Sequence, residues 1–331
     1  MLFVLTNFSE NVKIELTIIE TVKELRMKIG IIGAGAIGLL CAYQLKEKHD
    51  VTLYVRSPKQ YELIKNKGIY YKVNEDKQSR TVEVRYFAEW DGAEDLTIVT
   101  VKQYQLAPIY EKMEILGSRI KAMCFLQNGM SHIETILESN IPNLMIGIVE
   151  HGAMKEDEQT VVHTGIGAIK LACVKGKVAE ILLSLTTENN QAFPFINEPD
   201  YVTMMQKKLV VNSVVNSLTS ILQVKNGQLL QNAYYYQVMS LFLEEVLEIL
   251  SITKENRILY RDYCIEVIRN TALNKSSMLK DIEAGRPTEI DAILGYIVEK
   301  AKRKKISSPI AATVYLMIKG KERGREECLN A

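Results

Sequence analysis

The chain has 331 residues and a formal net charge of +1, with 24% charged and 47% hydrophobic residues. That length allows two domains with proper cores, and the balanced charge excludes any argument from composition for a nucleic-acid partner or a membrane surface. No apolar run approaches the roughly 20 residues that span a bilayer. Five scattered cysteines, with no close pair and no metal spacing, suit reduced thiols in a cytoplasmic protein and give no sign of a disulfide framework or a metal site.

Residues 1–26 form an extension ahead of Met27, where a nucleotide-binding fold would normally begin. It lacks the basic start of a signal peptide and is expected to be poorly ordered or loosely paired at the surface. From Lys28 an apolar run reads as a buried strand. It ends in Gly33-Ala34-Gly35-Ala36-Ile37-Gly38, and a helix-compatible stretch follows at once. This is the strand–turn–helix setting in which a glycine-rich turn binds a dinucleotide pyrophosphate. Gly33 permits the tight turn, Gly35 lets the backbone approach the phosphates, and Gly38 lets helix pack close to strand. The helix N-terminus offers free N–H groups and a positive dipole end to the anion.

Val51-Thr52-Leu53-Tyr54-Val55 reads as the second strand, and Arg56 follows it. NAD-preferring sites place an acid there for the ribose hydroxyls. A guanidinium instead pairs with the 2′-phosphate of NADP, so NADP(H) is the expected cofactor, although a solvated loop arginine is the plainer alternative. Residues 96–101 form a strand running into Lys102, and residues 122–126 form one running into Gln127-Asn128-Gly129-Met130. A third, at 145–149, runs into Glu150-His151-Gly152-Ala153. In an open parallel sheet, ligands lie beyond the carboxyl ends of the strands, which puts these polar ends at a shared site, though each is also compatible with ordinary turn chemistry.

Residues 164–174 are glycine-rich and β-like, and Pro194 and Pro199 with the polar residues between them read as a linker that permits hinge motion. Beyond Tyr201 the pattern is helical, with helices expected at 209–222, 234–250, 257–270 and 289–305. The domains are therefore expected at 27–197 and 198–331, a Rossmann dinucleotide-binding domain followed by an all-α domain. Lys208, Asn212 and Asn216 stand at i, i+4 and i+8, on one face of an α-helix. Asparagine is a poor helix former and an unusual choice for a merely wet face, so two of them on a Val/Leu-rich helix point to ligand binding. Thr288 with Asp291 resembles a helix cap, Glu289 suits a first helical turn beside the positive end of the dipole, and Ser277 reads as a turn or cap residue. The Tyr234-Tyr235-Tyr236 cluster is either core or a subunit contact, core being the commoner outcome.

Taken in order, these motifs resemble the ketopantoate reductase (2-dehydropantoate 2-reductase) family from Met27 to about Lys319. They are the GAGAIG turn, Arg56, Val101-Lys102, Gln127-Asn128-Gly129-Met130, Lys208 with Asn212 and Asn216, Asn226-Gly227, Ser276-Ser277-Met278-Leu279 with Asp281, and Thr288-Glu289-Ile290-Asp291. The resemblance implies NADPH-dependent reduction of ketopantoate to pantoate, on the route to pantothenate and coenzyme A, in a cleft between the two domains. It implies that Lys208 donates the proton and that Asn128, Asn212, Asn216, Asn226 and Ser277 bind substrate. By the same resemblance the turn residues Gly33 to Gly38, with Arg56, Lys102, Asn128 and Ala153, line the cofactor site, while Glu289 stands near both ligands with a catalytic part. It leaves a homodimer open. Several relatives have proline after the second stripe asparagine; Ser217 here would soften a bend in that helix. Two other readings stay open: a reductase of another 2-keto acid, and a non-catalytic NADP-binding regulator. The retained Lys208 and Glu289 speak against the regulator.

Overall fold

The computed structural model describes residues 26–187 and 190–328; all of the extension but Arg26 lies outside these residues. The described chain divides into two compact units, residues 26–127 with 135–201 and residues 128–134 with 202–328. The second unit thus takes a short piece of chain that follows the strand at Met123–Phe125.

The first unit begins β1 (Lys28–Ile32), α1 (Ala36–Leu45), β2 (Asp50–Val55), α2 (Pro58–Lys67), β3 (Ile69–Val73), β4 (Asp76–Arg80) and β5 (Glu83–Tyr86). It continues through β6 (Leu96–Val99), α3 (Ala107–Leu116) and β7 (Met123–Phe125), and resumes within α4 (Ile133–Glu138). The remainder is β8 (Leu144–Val149), β9 (Gly152–Lys155), β10 (Thr160–Gly165), β11 (Ile169–Lys175), α5 (Ala179–Thr186) and β12 (Phe195–Asn197).

Eight strands make one sheet in the order β12-β11-β8-β7-β6-β1-β2-β5, and four make a second, β4-β3-β10-β9. From β8 across to β5 every pairing in the large sheet is parallel; β11 then runs antiparallel to β8. Central parallel strands are covered on both faces, which is why β1, β6 and β8 are nearly continuous apolar runs. Helix α1 is buried from Gly38 through Leu45 because it lies between β1 and β2 on one side and β3, β9 and β10 on the other. A helix apolar all round has to be covered in this way. Chain order reverses at β1, whose neighbours are β2 and β6, and ligands of such sheets bind beyond the strand ends at that switch point.

The stretch between Pro194 and Pro199 is not the linker its composition suggests. It contains β12, paired parallel with β11 at the edge of the sheet. An edge position spares the flanking prolines a ladder donor they lack, and the Pro194 carbonyl still accepts from Ile169 N.

Among the described residues the second unit has no strand. It contains α6 (Tyr201–Val211), α7 (Ser217–Leu222), α8 (Gln228–Gln231), α9 (Ala233–Ile249), α10 (Lys254–Asn270), α11 (Ser277–Glu283), α12 (Tyr296–Lys304) and α13 (Pro309–Cys328). Asn232 caps α9 through Tyr234 N and Tyr235 N, so the tyrosine cluster is a first helical turn, with Tyr234 77% exposed and not core. Glu245 accepts from Ile310 N and Ala311 N and so caps α13, tying two helices distant in sequence. No helix among the described residues is long and apolar enough to cross a membrane.

Candidate active site

The glycine-rich turn is held by its neighbours in the first unit. Gly33 has φ of +107°, and a Cβ there would meet Val101 Cγ1 at 2.7 Å, so both conformation and space require glycine. Thr100 Oγ1 lies 3.1 Å from the Ile32 carbonyl oxygen and 2.9 Å from that of Gly33, donating across the end of β1. Gln60 Nε2 donates to the Ala34 carbonyl at 2.8 Å and to that of Glu158 at 2.7 Å, fixing the turn from the other side. At Gly38 a Cβ would stand 1.8 Å from the Gly33 carbonyl oxygen. At Gly35 it would meet nothing within 4 Å. Two of the three glycines are therefore demanded by packing, and the third faces open space at the start of α1.

Helix α1 has no side-chain cap and no acidic residue in its first turn. Its leading N–H groups are left for an anion. A dinucleotide pyrophosphate fits this arrangement: uncapped donors, a positive dipole end and room over Gly35. Arg56, directly after β2, is exposed, and its side chain makes no hydrogen bond or ion pair among the described residues. The adjacent Ser57 caps α2 by accepting from Gln60 N, which fixes the backbone on which Arg56 stands. Lys102 follows β6 and is half-buried, its N–H donating to Gln105 Oε1. Ala153 lies in β9, paired with His163 and packed against the core.

His151 turns inward. It is 7% exposed, stacks on Phe193 and lies 3.1 Å from His163 Nε2 through its Nδ1. Burial, then the neighbouring His163, pulls its imidazole down to about 4, so it is neutral near pH 7. Gln127 is also buried, with Nε2 donating to the carbonyls of Val99 and Val101.

The second unit gathers the remaining residues. Asn128 Nδ2 donates to Glu289 Oε2 at 2.8 Å, so two residues 161 positions apart meet directly. Gly129 makes the approach possible: it has φ of +82°, and a Cβ there would lie 2.1 Å from the Ala292 carbonyl oxygen. His132, next along, is buried, which pushes its imidazole down to about 4. Glu289 is 8% exposed. Thr288 is the cap, as its sequence position suggests, its hydroxyl accepting from Ile290 N while its own N–H and O–H donate to Glu322 Oε1. Asp291 binds Tyr315 and Lys319, which fastens this segment to α13.

The polar stripe departs from the α-helical spacing expected of it. Lys208 stands half-buried in the last turn of α6, but Asn212–Asn216 is a π turn before α7 resumes the α-helix. The extra residue in that turn breaks the i, i+4, i+8 register: Asn212 stays half-buried while Asn216 is buried. The distortion is present with Ser217 in place of a proline. A second π turn, Asp291–Gly295, follows Glu289 and packs against the first. Such turns are rare and concentrate at functional sites.

One connection, residues 271–277, collects the other candidates. Asn216 Nδ2 reaches Ser277 Oγ at 3.5 Å, a long contact. The α11 cap is Ser276, which accepts from Leu279 N and from Thr219 Oγ1; Ser277 is the first helical residue. Asn226 N donates to the Asn274 carbonyl and Gly227 N to that of Ala272. A Cβ at Gly227 would come within 2.8 Å of Ala272 Cβ, which accounts for the Asn-Gly pair. Sequence reasoning missed Thr100, Gln60, Thr271 and Glu322. A threonine ending an apolar strand was a usable signal; the other three act across distant segments and leave none.

Comparison with known proteins agrees with this geometry. The family model described as Ketopantoate reductase PanE/ApbA matches residues 29–176, and its C-terminal counterpart matches residues 200–322. The 2-dehydropantoate 2-reductase of Bacillus subtilis is 38% identical over 300 residues, covering 90% of this chain and 98% of the relative. That of Listeria innocua is 36% identical over 302 residues, covering 90% and 98%. The crystal structure of the Bacillus subtilis protein described as "Probable 2-dehydropantoate 2-reductase panE" superposes with a TM-score of 0.82 at 36% identity, covering 89% of this chain and all of that one.

Proposed function

Since this chain belongs to the ketopantoate reductase family, we propose that it reduces 2-dehydropantoate to (R)-pantoate with NADPH, a step toward pantothenate and coenzyme A. The observation that carries the proposal is the Asn128–Glu289 hydrogen bond beside two adjoining π turns, one of which holds Asn212 and Asn216 directly after Lys208. A polar cluster kept at such a cost in helix regularity serves a ligand.

NADPH, when bound, supplies the hydride. The uncapped start of α1 and Gly35 would hold its pyrophosphate, and the Arg56 guanidinium would pair with the 2′-phosphate. Lys102 and Ala153 complete the cofactor side in this reading. Addition of hydride to the ketone carbon leaves an alkoxide on the carbonyl oxygen. Lys208 donates its proton to that oxygen, and before transfer its ammonium charge stabilises the developing anion. Asn212, Asn216, Asn226 and Ser277 bind the substrate's polar groups without adding charge. Glu289 holds the Asn128 amide by accepting from Nδ2, which leaves Asn128 Oδ1 to face a ligand donor.

The proposal includes self-association. Tyr234, Val238 and Leu241 stand at i, i+4 and i+7 on an exposed face of α9, and Ile258 and Leu259 are exposed on α10. A panel of ketopantoate and other 2-keto acids, each with NADPH and with NADH, tests the activity. Selective turnover of ketopantoate with NADPH is expected. NADPH binding with turnover of a different keto acid would keep the cofactor and discard the substrate.

A further inference from the structure

Asn226 is 7% exposed, yet its two amide atoms are treated differently. Nδ2 lies 2.9 Å from Thr271 Oγ1, while Oδ1 is buried with no hydrogen-bond partner among the described residues. A buried acceptor left empty is costly, of the order of 1–3 kcal/mol, and such atoms call for an explanation.

The orientation of this amide follows from its partner. A threonine hydroxyl has one proton and two acceptor lone pairs. Thr271 Oγ1 lies 2.6 Å from the Val267 carbonyl oxygen, a separation that requires the hydroxyl proton to lie between the two oxygens. Toward Asn226, Thr271 therefore has only a lone pair to offer, and the amide must present its nitrogen. Oδ1 is consequently turned the other way, as an acceptor with nothing to accept.

The backbone on either side of this amide is held as well. Asn226 N is bound to the Asn274 carbonyl, Gly227 N to that of Ala272, and the Asn226 carbonyl accepts from Leu229 N. Thr271 itself ends α10, its own N–H also donating to Val267. Helix α10 thus sets the Thr271 hydroxyl, and the hydroxyl sets the amide.

We propose that Thr271 is a positioning residue that orients the Asn226 amide so that its buried Oδ1 accepts a hydrogen bond from the substrate's hydroxyl group, making this pair the determinant of selectivity for a hydroxylated 2-keto acid. The inference rests on the reading of Asn226 as a substrate-binding residue. Ketopantoate is ionised at its carboxyl group near neutral pH, and its ketone oxygen accepts only. Its one hydrogen-bond donor is the terminal hydroxyl, the one group of the substrate that can donate to Asn226 Oδ1. A site built to bind a hydroxyl discriminates strongly against the analogue lacking it, because the analogue leaves the buried acceptor empty.

The test compares ketopantoate with 3,3-dimethyl-2-oxobutanoate, the same skeleton without the hydroxyl, as a ratio of kcat/KM values with NADPH. The ratio is independent of the fraction of correctly folded enzyme, so a partial folding defect does not enter it. The full-length protein should favour ketopantoate by at least about a hundredfold. Thr271→Val keeps the shape but offers no lone pair, so the amide is free to turn its NH2 group toward the substrate. The ratio should then fall by at least about tenfold, mainly through a higher KM for ketopantoate. Thr271→Ser retains the hydroxyl and should restore the ratio. An unchanged ratio in Thr271→Val, or an equal loss on both substrates, would overturn the positioning role. A ratio near one in the unsubstituted protein would overturn recognition of the hydroxyl while leaving the reductase reading intact. Absence of turnover with ketopantoate would instead count against that reading itself.

Discussion

A methyl group added at Gly38 would sit 1.8 Å from the Gly33 carbonyl oxygen and 2.6 Å from Thr100 Oγ1, where real contacts stay above 3.0 Å. The start of α1 would have to move away from β1 by more than an ångström, breaking the hydrogen bond that the single Thr100 hydroxyl proton shares between the Ile32 and Gly33 carbonyls. One net hydrogen bond at about 1 kcal/mol, with overpacking strain of about 1–3 kcal/mol, gives a loss of roughly 2–4 kcal/mol. For a unit of this size that is a fall in Tm of roughly 5–15 °C. Gly35→Ala should behave oppositely. Gly35 has φ of −77° and ψ of −170°, which alanine adopts without strain, and its Cβ would meet no protein atom within 4 Å. Stability should hold or rise by about 0.4–1 kcal/mol. NADPH affinity should fall at least tenfold, about 1.4 kcal/mol, because the methyl group occupies the space assigned to the pyrophosphate. Thermal melts with and without NADPH, and calorimetric titration of both variants, separate the two effects. Wild-type NADPH affinity in Gly35→Ala would refute the placement of the phosphates, and an unaltered melt in Gly38→Ala would refute the packing argument.

Arg56→Asp should reduce the preference for NADPH over NADH by about tenfold or more in kcat/KM; an unchanged preference would assign the 2′-phosphate to another group. Stability should decline as pH falls from about 6.5 toward 4, because His132 and His151 are held neutral by burial at about 4 whereas the unfolded chain takes up their protons near 6.5. The depressed histidine contributes in full above 6.5, and at pH 5 each loses up to roughly 2 kcal/mol. Urea midpoints that stay flat from pH 7 to pH 5 would contradict this. Sedimentation should return twice the chain mass of 37.6 kDa, and Leu241→Lys, on the exposed face of α9, should return the chain mass itself. A purely monomeric unsubstituted protein would remove the self-association reading.

The first unit was largely legible because its signals are local. An apolar run, three glycines at fixed spacing and polar residues closing successive strands each reflect a constraint acting within a few residues. The linker read between Pro194 and Pro199 failed because prolines mark edge strands as readily as they mark linkers, and only the pairing of β12 with β11 decides between the two. The second unit was legible in its helices and less so in its chemistry. Nothing in the spacing of Lys208, Asn212 and Asn216 signals a π turn, whose extra residue is accommodated by packing against the turn after Glu289. The Asn128–Glu289 pair and the bracing of Asn226 by Thr271 join segments far apart in the chain. Local reading placed the cap correctly at Thr288 but saw in Glu289 only a first-turn acid and in Ser277 only a turn or cap residue; the second cap is Ser276, which stands beside Ser277.

The most direct test of the account is product formation from ketopantoate and NADPH by the purified chain, with Lys208→Ala run in parallel. Pantoate and NADP+ should appear in equal amounts, and Lys208→Ala should lose at least about a hundredfold in kcat while binding NADPH as before. Absence of pantoate, or equal rates from the two proteins, would contradict the assignment of this site as a ketopantoate reductase in which Lys208 supplies the proton.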